Sequence, residues 1–314
     1  MRTAIKFIRK MPVALKHPSQ PPLRSLLYVP GNKLEWMRKA PKYGSDALIF
    51  DLEDSVPPEQ KADSRKLVRQ AIDELRPLGR PRLLVRINDV RTGRAEADLE
   101  AIVAAGLFGV QLPKTDGPED IRQLDAVLNR LEERAGLPVG RIFIMPLIES
   151  AQGVRNAYET AMAASRVGYL MAAAGGSVGD MALSVGFRET TGLETSYIFG
   201  KIVVDARAAG ITNPCTGLVS DAIHDLAAVR LRAQRARNFG YMGTNLIHPS
   251  HIQLTHEVFG PSQADIEYWK GLVEAVEAGQ RRGTSVVVYK GTMMDIAHLN
   301  HAREMLKLAQ DYPG

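Results

Sequence analysis

The sequence predicts an α/β protein, a (β/α)8 TIM barrel followed by a small C-terminal helical lid. Three observations support this fold. Eight short apolar runs recur along the chain from Leu23 onward. The runs are continuously apolar instead of alternating, which is typical of parallel strands buried on both faces. The intervals that separate them, roughly 20 to 45 residues, leave room for a crossover helix each time.

The predicted strands follow one another in the way that a barrel requires. They cover residues 25–30, 47–51, 82–88, 109–113, 141–149, 167–172, 211–218 and 243–248. The seventh strand is the weakest, because Pro214 and Gly217 interrupt it. An open doubly wound sheet is the alternative, but no Gly-x-Gly-x-x-Gly segment follows any of the strands to support it.

Helical patterns fill the intervals between the strands. One helix is predicted over residues 98–105, with Gly106 as its C-terminal cap. A second helix is predicted over 121–131, and Pro118 and the acids that follow it mark its start. A third helix is predicted over 221–238, before Gly240.

The pattern changes after Pro249. A helix over 264–279, an extended piece over 285–289 and a final helix through Leu308 read as an appendage to the barrel, too small for a second full domain. The predicted organisation is therefore a basic extension over 1–22, the barrel over 23–260, and a C-terminal segment over 261–314.

The composition excludes several kinds of protein. A single cysteine, Cys215, rules out an intramolecular disulfide and a thiolate metal cluster. No apolar run approaches the ~18 residues of a membrane span, so no membrane partner is expected. The net charge of +5 is modest, and no aromatic-interleaved basic patch indicates a nucleic-acid partner.

Residues 1–22 are basic and contain no acid. A mobile or surface-bound extension is the favoured interpretation, a transit peptide is the second, and a nucleic-acid arm is the third. The expected location is therefore the cytoplasm, or an organellar matrix if the segment is a transit peptide.

Charged and polar residues end six of the eight predicted strands or follow them closely. They are Asp51, Glu53 and Asp54 after the second strand, Arg86 and Asn88 in the third, Lys114 after the fourth, Glu149 in the fifth, Asp180 after the sixth and His248 in the eighth. A charge at the end of a buried apolar run is costly unless it is paired or functional. Active sites of such barrels lie at the carboxyl ends of the strands, so the sequence predicts a site there.

Glu149 and Asp180 form the most informative pair. Glu149 ends a strongly apolar strand, and Asp180 lies in a glycine-rich loop before a helix. Two carboxylates with water are typical ligands of Mg²⁺. The alternative is that Asp180 caps the following helix and that Glu149 forms an ion pair with an arginine.

The other charged residues also have two interpretations. Arg86 suits a substrate carboxylate or an enolate oxygen, or else it pairs with Glu53 or Asp54. Asp51, Glu53 and Asp54 either orient arginines and metal-bound waters or form a salt-bridge cluster at the rim. Lys114 is favoured as an ion-paired lysine over a Schiff-base lysine.

Nine segments together resemble the citrate lyase β-subunit family, which includes malyl-CoA and citramalyl-CoA lyases. They are RSLLYVPG (24–31), DLEDSV (51–56), VRIN (85–88), LPK (112–114), LIES (147–150), 176–186, ARAAG (206–210), IHP (247–249) and GTMMD (291–295). They occur in family order, and the similarity covers roughly residues 23–308. The family fold is a TIM barrel, usually assembled as a homotrimer or hexamer.

The resemblance implies a role for particular residues. Glu149 and Asp180 match the Mg²⁺ ligands, and Arg86 matches the arginine that binds substrate and thioester. Asp295 matches a catalytic aspartate that reaches a neighbouring subunit's site from the lid. Arg24 matches a position near the site and is expected to bind substrate. Asp51, Glu53 and Asp54 match positions that surround the site and orient the residues that act in it.

The implied reaction is a Mg²⁺-dependent retro-Claisen cleavage of a 3-hydroxyacyl thioester on CoA or an acyl carrier, which yields an acetyl thioester and a 2-oxo acid. Two departures leave the substrate open: Gly179 stands where the family often has an acid, and Thr216-Gly217 where it often has Asp-Gly. An aldolase of free 2-oxo acids, a malyl-CoA thioesterase and a non-catalytic subunit of a larger complex are the alternatives.

Overall fold

The computed structural model describes residues 20–173, 179–188, 192–217 and 223–312. Eight parallel strands form a closed barrel in which each strand pairs with the next and the eighth pairs with the first. The strands are β1 (Ser25–Pro30), β2 (Ala47–Asp51), β3 (Arg82–Arg86), β4 (Leu107–Leu112), β5 (Phe143–Ile148), β6 (Met171–Ala172), β7 (Cys215–Thr216) and β8 (Gly243–Leu246). The predicted TIM barrel is confirmed.

Helices connect the strands and surround the barrel. They are α1 (Leu34–Lys39), α2 (Lys61–Leu75), α3 (Ala95–Ile102), α4 (Pro118–Arg134), α5 (Ala151–Arg155), α6 (Ala157–Ala161), α7 (Asp180–Val185), α8 (Ser196–Ala208), α9 (Leu226–Phe239) and α10 (Ile252–Phe259). The apolar face of α4, for example, carries Ile121, Leu124 and Leu128 into the core at helical spacing. Amphipathic crossover helices of this kind cover the outer face of the barrel sheet.

The chain continues beyond the barrel as α11 (Gln263–Arg281), a hairpin of β9 (Val287–Tyr289) and β10 (Thr292–Met294), and α12 (Ile296–Asp311). These elements have a small core of their own around Leu272, Val276 and Leu299, separate from the clusters of the barrel. The predicted C-terminal helical extension is therefore confirmed, whereas its contribution to a neighbouring subunit stays a prediction.

Two predicted strands are much shorter than expected. The described residues of the runs over 167–172 and 211–218 form strands of only two residues each, β6 and β7. Burial accounts for the apolar character of the rest, since Tyr169 and Leu170 are fully buried without being part of a strand. The third predicted helix begins at Leu226 instead of residue 221, and residues 218–222 lie outside the described part of the chain.

The barrel interior is built by alternation along the strands. Leu26, Ile49, Leu84, Leu147 and Met171 belong to one buried cluster that fills the inside of the barrel. Successive side chains of a strand point to opposite faces, so the residue two positions later also points inward. Parallel pairing places Asp51 beside Arg86 in register, which brings these two inward positions together at the carboxyl end.

No helix in the described ranges is both long and apolar enough to cross a bilayer.

Candidate active site

The inward positions at the carboxyl ends of the strands surround a cavity of about 300 Å³. Its walls are formed by Tyr28, Pro30, Asp51, Ser55, Arg86, Leu147, Glu149, Ala173, Gly217, Asn245 and Ile247. Seven strands of the barrel, or the residues directly after them, contribute to this lining. The predicted location of the site at the carboxyl end of the barrel therefore coincides with a real cavity.

Arg86 is fixed by a two-pronged ion pair with Asp51. Its Nε and Nη2 atoms each donate a hydrogen bond of 2.7 Å to the Asp51 carboxylate, while Nη1 lies 3.0 Å from Glu53. Its guanidinium also stacks over the Tyr28 ring, 4.9 Å from the centroid. Burial by itself would raise the pKa of Asp51, but the hydrogen bonds and charge of Arg86 outweigh burial and hold that pKa below its ordinary value.

Lys114 lies between the acids of the rim. Its Nζ atom forms a 2.5 Å ion pair with Glu53 and is 3.5 Å from Asp180. Its backbone has a left-handed conformation with φ near 50°, which is uncommon for a residue other than glycine and typical of functional sites. The interpretation of Lys114 as an ion-paired lysine agrees with this geometry.

Glu149 is a partly buried carboxylate whose Oε2 atom accepts a 2.8 Å hydrogen bond from the backbone N–H of Lys114. Among the described residues it forms no ion pair with a lysine or arginine side chain, so its alternative interpretation as an arginine partner is wrong. Burial raises the pKa of Glu149 to about 7, and the Lys114 backbone hydrogen bond only partly opposes this effect.

Asp180 is the first residue of α7, where Gly179 occupies the cap position and no side chain caps the helix. The alternative interpretation of Asp180 as a capping residue is therefore wrong. Its carboxylate is half-exposed and approaches Lys114 Nζ, while Glu149 binds the backbone N–H of that same lysine. The two acids, 31 positions apart in the sequence, thus meet around one residue.

The residues present suit a hard cation that retains water. Within the described ranges no group of three or more His, Cys, Asp or Glu side chains is arranged to hold a metal. Mg²⁺ is often bound by only one or two carboxylates together with water and substrate oxygens. Glu149 and Asp180 both lie against Lys114, and within the described ranges the Glu149 carboxylate has no ion pair, so this pair of acids fits such a cation.

The comparisons with known proteins agree with this geometry. The family described as HpcH/HpaI aldolase/citrate lyase matches residues 24–249. The chain belongs to this family. The predicted family and the predicted class of enzyme, a citrate lyase β-like lyase, are confirmed at this level.

Two curated relatives cover nearly the whole chain. The citrate lyase subunit beta of Leuconostoc mesenteroides subsp. cremoris is 32% identical over 286 residues, which cover 91% of this chain and 93% of the relative. The (3S)-malyl-CoA thioesterase of Cereibacter sphaeroides (strain KD131) is 31% identical over 290 residues, which cover 92% of this chain and 95% of the relative. One relative is named as a lyase subunit and the other as a thioesterase, so the two relatives are named for different reactions.

A solved structure of the family resembles this one over most of both chains. CitE from Mycobacterium tuberculosis, in complex with magnesium, acetoacetate and coenzyme A, is 28% identical with a TM-score of 0.69. The match covers 92% of this chain and 98% of that chain. In that relative the fold accompanies a magnesium ion and coenzyme A.

Arg24 does not lie at the cavity. It precedes Ser25, the first residue of β1, and therefore occupies the amino end of the barrel, where it forms an ion pair with Asp46. The expectation that Arg24 binds substrate at the carboxyl-end cavity is wrong, because the length of β1 separates the two places.

Asp295 lies in the C-terminal extension, where its carboxylate caps α12 and contacts His298. The side chain is half-exposed and makes no contact with the cavity of its own chain that the structure records. Its expected action on a neighbouring subunit's site stays a prediction.

Sequence reasoning missed three polar residues of the barrel interior. The Tyr28 hydroxyl donates a 2.5 Å hydrogen bond to the buried side chain of Gln111, and burial raises the pKa of Tyr28 to about 12. Asn245 lies in the cavity wall beside Tyr28. Alternation was the available signal, since Tyr28 lies two positions after the inward Leu26 on the same strand.

Proposed function

We propose that this protein is a Mg²⁺-dependent carbon–carbon lyase that cleaves a 3-hydroxy-3-carboxyacyl thioester by a retro-Claisen reaction. The bond between C2 and C3 of the acyl chain breaks, and the hydroxyl proton leaves as the hydroxyl carbon becomes the carbonyl of a 2-oxo acid. The carbon that departs takes up a proton and becomes the methyl group of an acetyl thioester. No oxidant or reductant is needed.

The observation that carries this proposal is the pair of acids around Lys114. Glu149 and Asp180 would hold Mg²⁺, and the bound ion would lower the pKa of the substrate hydroxyl and polarise the carbonyl that forms. The backbone N–H of Lys114 fixes one oxygen of Glu149, which limits the orientations of this carboxylate before any ligand binds.

Arg86 supplies positive charge on the cavity wall close to Glu149. Its guanidinium is held in place by Asp51 and by the Tyr28 ring, so it needs little rearrangement to stabilise a developing enolate oxygen. Asp295 of a neighbouring chain would transfer the proton at the acetyl carbon, in a homo-oligomer that we expect to be a trimer or a hexamer.

The decisive test replaces Glu149 by glutamine, which keeps its shape and removes its charge. In Glu149→Gln we expect cleavage of malyl-, citramalyl- and citryl-CoA to fall by about 10³-fold or more, together with loss of the Mg²⁺-dependent rise in melting temperature. Glu133→Gln, an exposed acid at the end of α4, is the matched control. A Glu149→Gln protein with the full cleavage rate would contradict the metal assignment.

The same assay examines the second candidate function. The malyl-CoA thioesterase among the relatives favours hydrolysis of the thioester as an alternative outcome at this site. Hydrolysis releases free CoA without acetyl-CoA or a 2-oxo acid, whereas the proposed lyase produces acetyl-CoA and the 2-oxo acid in equal amounts.

A further inference from the structure

The cavity has one charged side and one neutral side. Strands β2, β3 and β5 direct Asp51, Arg86 and Glu149 toward it. The rest of the lining is uncharged and is called the neutral wall; it is formed by Tyr28, Pro30, Ser55, Leu147, Ala173, Gly217, Asn245 and Ile247. Among the described residues that line the cavity, Arg86 is the only lysine, arginine or histidine.

Negative charge exceeds positive charge around this site. Among the described residues, the cluster around Arg86 and Lys114 contains five carboxylates, from Asp51, Glu53, Asp54, Glu149 and Asp180, for these two cations. Both cations already have partners. Arg86 binds Asp51 through two hydrogen bonds, and Lys114 lies 2.5 Å from Glu53.

The three internal stretches that the structure does not describe add no basic side chain to this inventory. Residues 174–178, 189–191 and 218–222 contain no lysine, arginine or histidine in the sequence. The residue expected to reach the site from a neighbouring chain, Asp295, is itself an acid. In the described lining of the cavity, a second substrate carboxylate would therefore meet no unpaired lysine, arginine or histidine.

From this distribution of charge, and on the basis of the function proposed above, we infer that the 2-oxo acid has an uncharged substituent. The shared 2-oxo carboxylate group would face the Mg²⁺ ligands and Arg86, and its substituent would face the neutral wall. A hydrogen or a methyl group fits against Leu147, Ala173 and Ile247, as in glyoxylate or pyruvate. The second carboxylate of oxaloacetate would lie against this wall without a cation to pair with, which is unfavourable.

The test runs the reaction in the direction of condensation. Acetyl-CoA, Mg²⁺ and one 2-oxo acid are mixed with the protein, and kcat/KM is measured for glyoxylate, pyruvate and oxaloacetate. We expect the better of the first two to exceed oxaloacetate by about 100-fold or more, as is usual when binding leaves a polar group unpaired. Oxaloacetate as the best substrate would overturn this inference and leave the lyase assignment intact, whereas failure of all three would overturn the proposed function itself.

A variant tests the cause of this selectivity. Ile247 lines the cavity at the end of β8 and is 40% exposed, so a longer polar side chain there does not need to enter the core. In Ile247→Lys the added cation should raise the ratio of kcat/KM for oxaloacetate over pyruvate by about 10-fold or more. Ile247→Met, a neutral side chain of similar length, should leave this ratio within about 3-fold of its original value.

Two results of this experiment would contradict the electrostatic explanation. One is an unchanged ratio in a folded Ile247→Lys protein that still condenses pyruvate. The other is an equal rise in the ratio for Ile247→Met, because a neutral side chain offers no partner for a carboxylate. If Ile247→Lys does not fold, the comparison of the three acids with the unaltered protein still decides the inference.

Discussion

The two ends of the barrel both contain arginine–carboxylate pairs, but their charges are balanced differently. At the amino end the buried Arg24 donates three hydrogen bonds of 2.8 to 2.9 Å to Asp46, one from its backbone N–H and two from its guanidinium. At the carboxyl end Arg86 and Lys114 face five carboxylates. The Arg24–Asp46 pair is neutral as a unit, whereas the cluster at the carboxyl end carries an excess of negative charge.

A second buried arginine at the amino side follows the same rule as Arg24. Arg166 forms ion pairs with Asp125 and Glu132, at 2.6 and 2.9 Å. Glu132 also accepts hydrogen bonds from the backbone N–H groups of Gly140 and Ile142, just before β5. Carboxylates satisfied in this way hold the starts of strands in place and have little capacity left for a ligand.

The difference separates residues that stabilise the barrel from residues available for chemistry. A partly buried carboxylate such as Glu149, with one backbone hydrogen bond and no paired side-chain cation within the described ranges, reduces stability in the absence of a ligand. Proteins retain such groups at functional sites. Substitutions at the two ends should therefore have opposite effects on activity and on stability.

The largest effect is expected at the carboxyl end. Asp180→Asn removes a proposed metal ligand, and we expect kcat/KM for thioester cleavage to fall by about 10³-fold. The free energy of unfolding should change by less than about 0.5 kcal/mol, because the side chain is half-exposed and caps no helix. Steady-state kinetics and urea denaturation of the same preparation measure both quantities.

Glu159→Gln, in α6, is a control with the same loss of charge away from the cavity. If the loss of kcat/KM in Asp180→Asn is explained by a large decrease in the free energy of unfolding, the distinction between residues for stability at one end and residues for chemistry at the other is contradicted.

A smaller effect, of the opposite kind, is expected at the amino end. Arg24→Met leaves the carboxylate of Asp46 buried with only the Arg24 backbone N–H and neighbouring neutral groups, which should cost about 3 kcal/mol of stability. Because Arg24 lies away from the cavity, kcat/KM per folded molecule should stay within about 3-fold. Chemical denaturation and an active-site titration measure the two effects.

Arg122→Met provides the comparison, because Arg122 forms only an exposed pair with Glu119 and should lose less than about 0.5 kcal/mol. A loss of activity in a folded Arg24→Met protein would mean that Arg24 does take part in substrate binding.

The direction of the strands explains why the sequence located some site residues and not others. Asp51, Arg86 and Glu149 end apolar runs or follow them, so a parallel barrel brings them to one rim whatever the details of packing. The motif around Arg24 does not by itself place this residue at the cavity, because the direction of the strand decides its position. Arg24 precedes β1, and a residue that precedes a strand lies at the amino rim.

Other features depend on tertiary structure that a sequence pattern does not contain. The left-handed backbone of Lys114 is unfavourable for a lysine and persists because Glu149 and Glu53 hold its two ends. Ala173 and Gly217 belong to the neutral wall because each lies two positions after an inward residue, Met171 in β6 and Cys215 in β7. The apolar runs predict both strands but overestimate their length, so they do not show where each strand ends. Their role becomes visible only when the closed barrel places them opposite Arg86.

The smallest effect concerns His256, whose Nε2 atom lies 2.7 Å from the Ser25 hydroxyl and 3.6 Å from Asp46 at the amino end. Burial lowers the pKa of His256 below its ordinary value of 6.5; Asp46 opposes this effect, and Arg24 adds to it. As the pH falls through about 6.5, the unfolded chain therefore binds a proton before the folded protein does, so the free energy of unfolding decreases.

Urea denaturation between about pH 7.5 and pH 5 measures how steeply the free energy of unfolding changes with pH, to which carboxylates also contribute. His256→Asn should show a shallower decrease than the original protein, whereas His301→Asn, at an exposed position of α12, should leave it unchanged. An equal pH dependence of the free energy of unfolding in His256→Asn and the original protein would mean that protonation of His256 does not destabilise the amino end. The contrast between the two ends would then depend on the acidic carboxyl end alone.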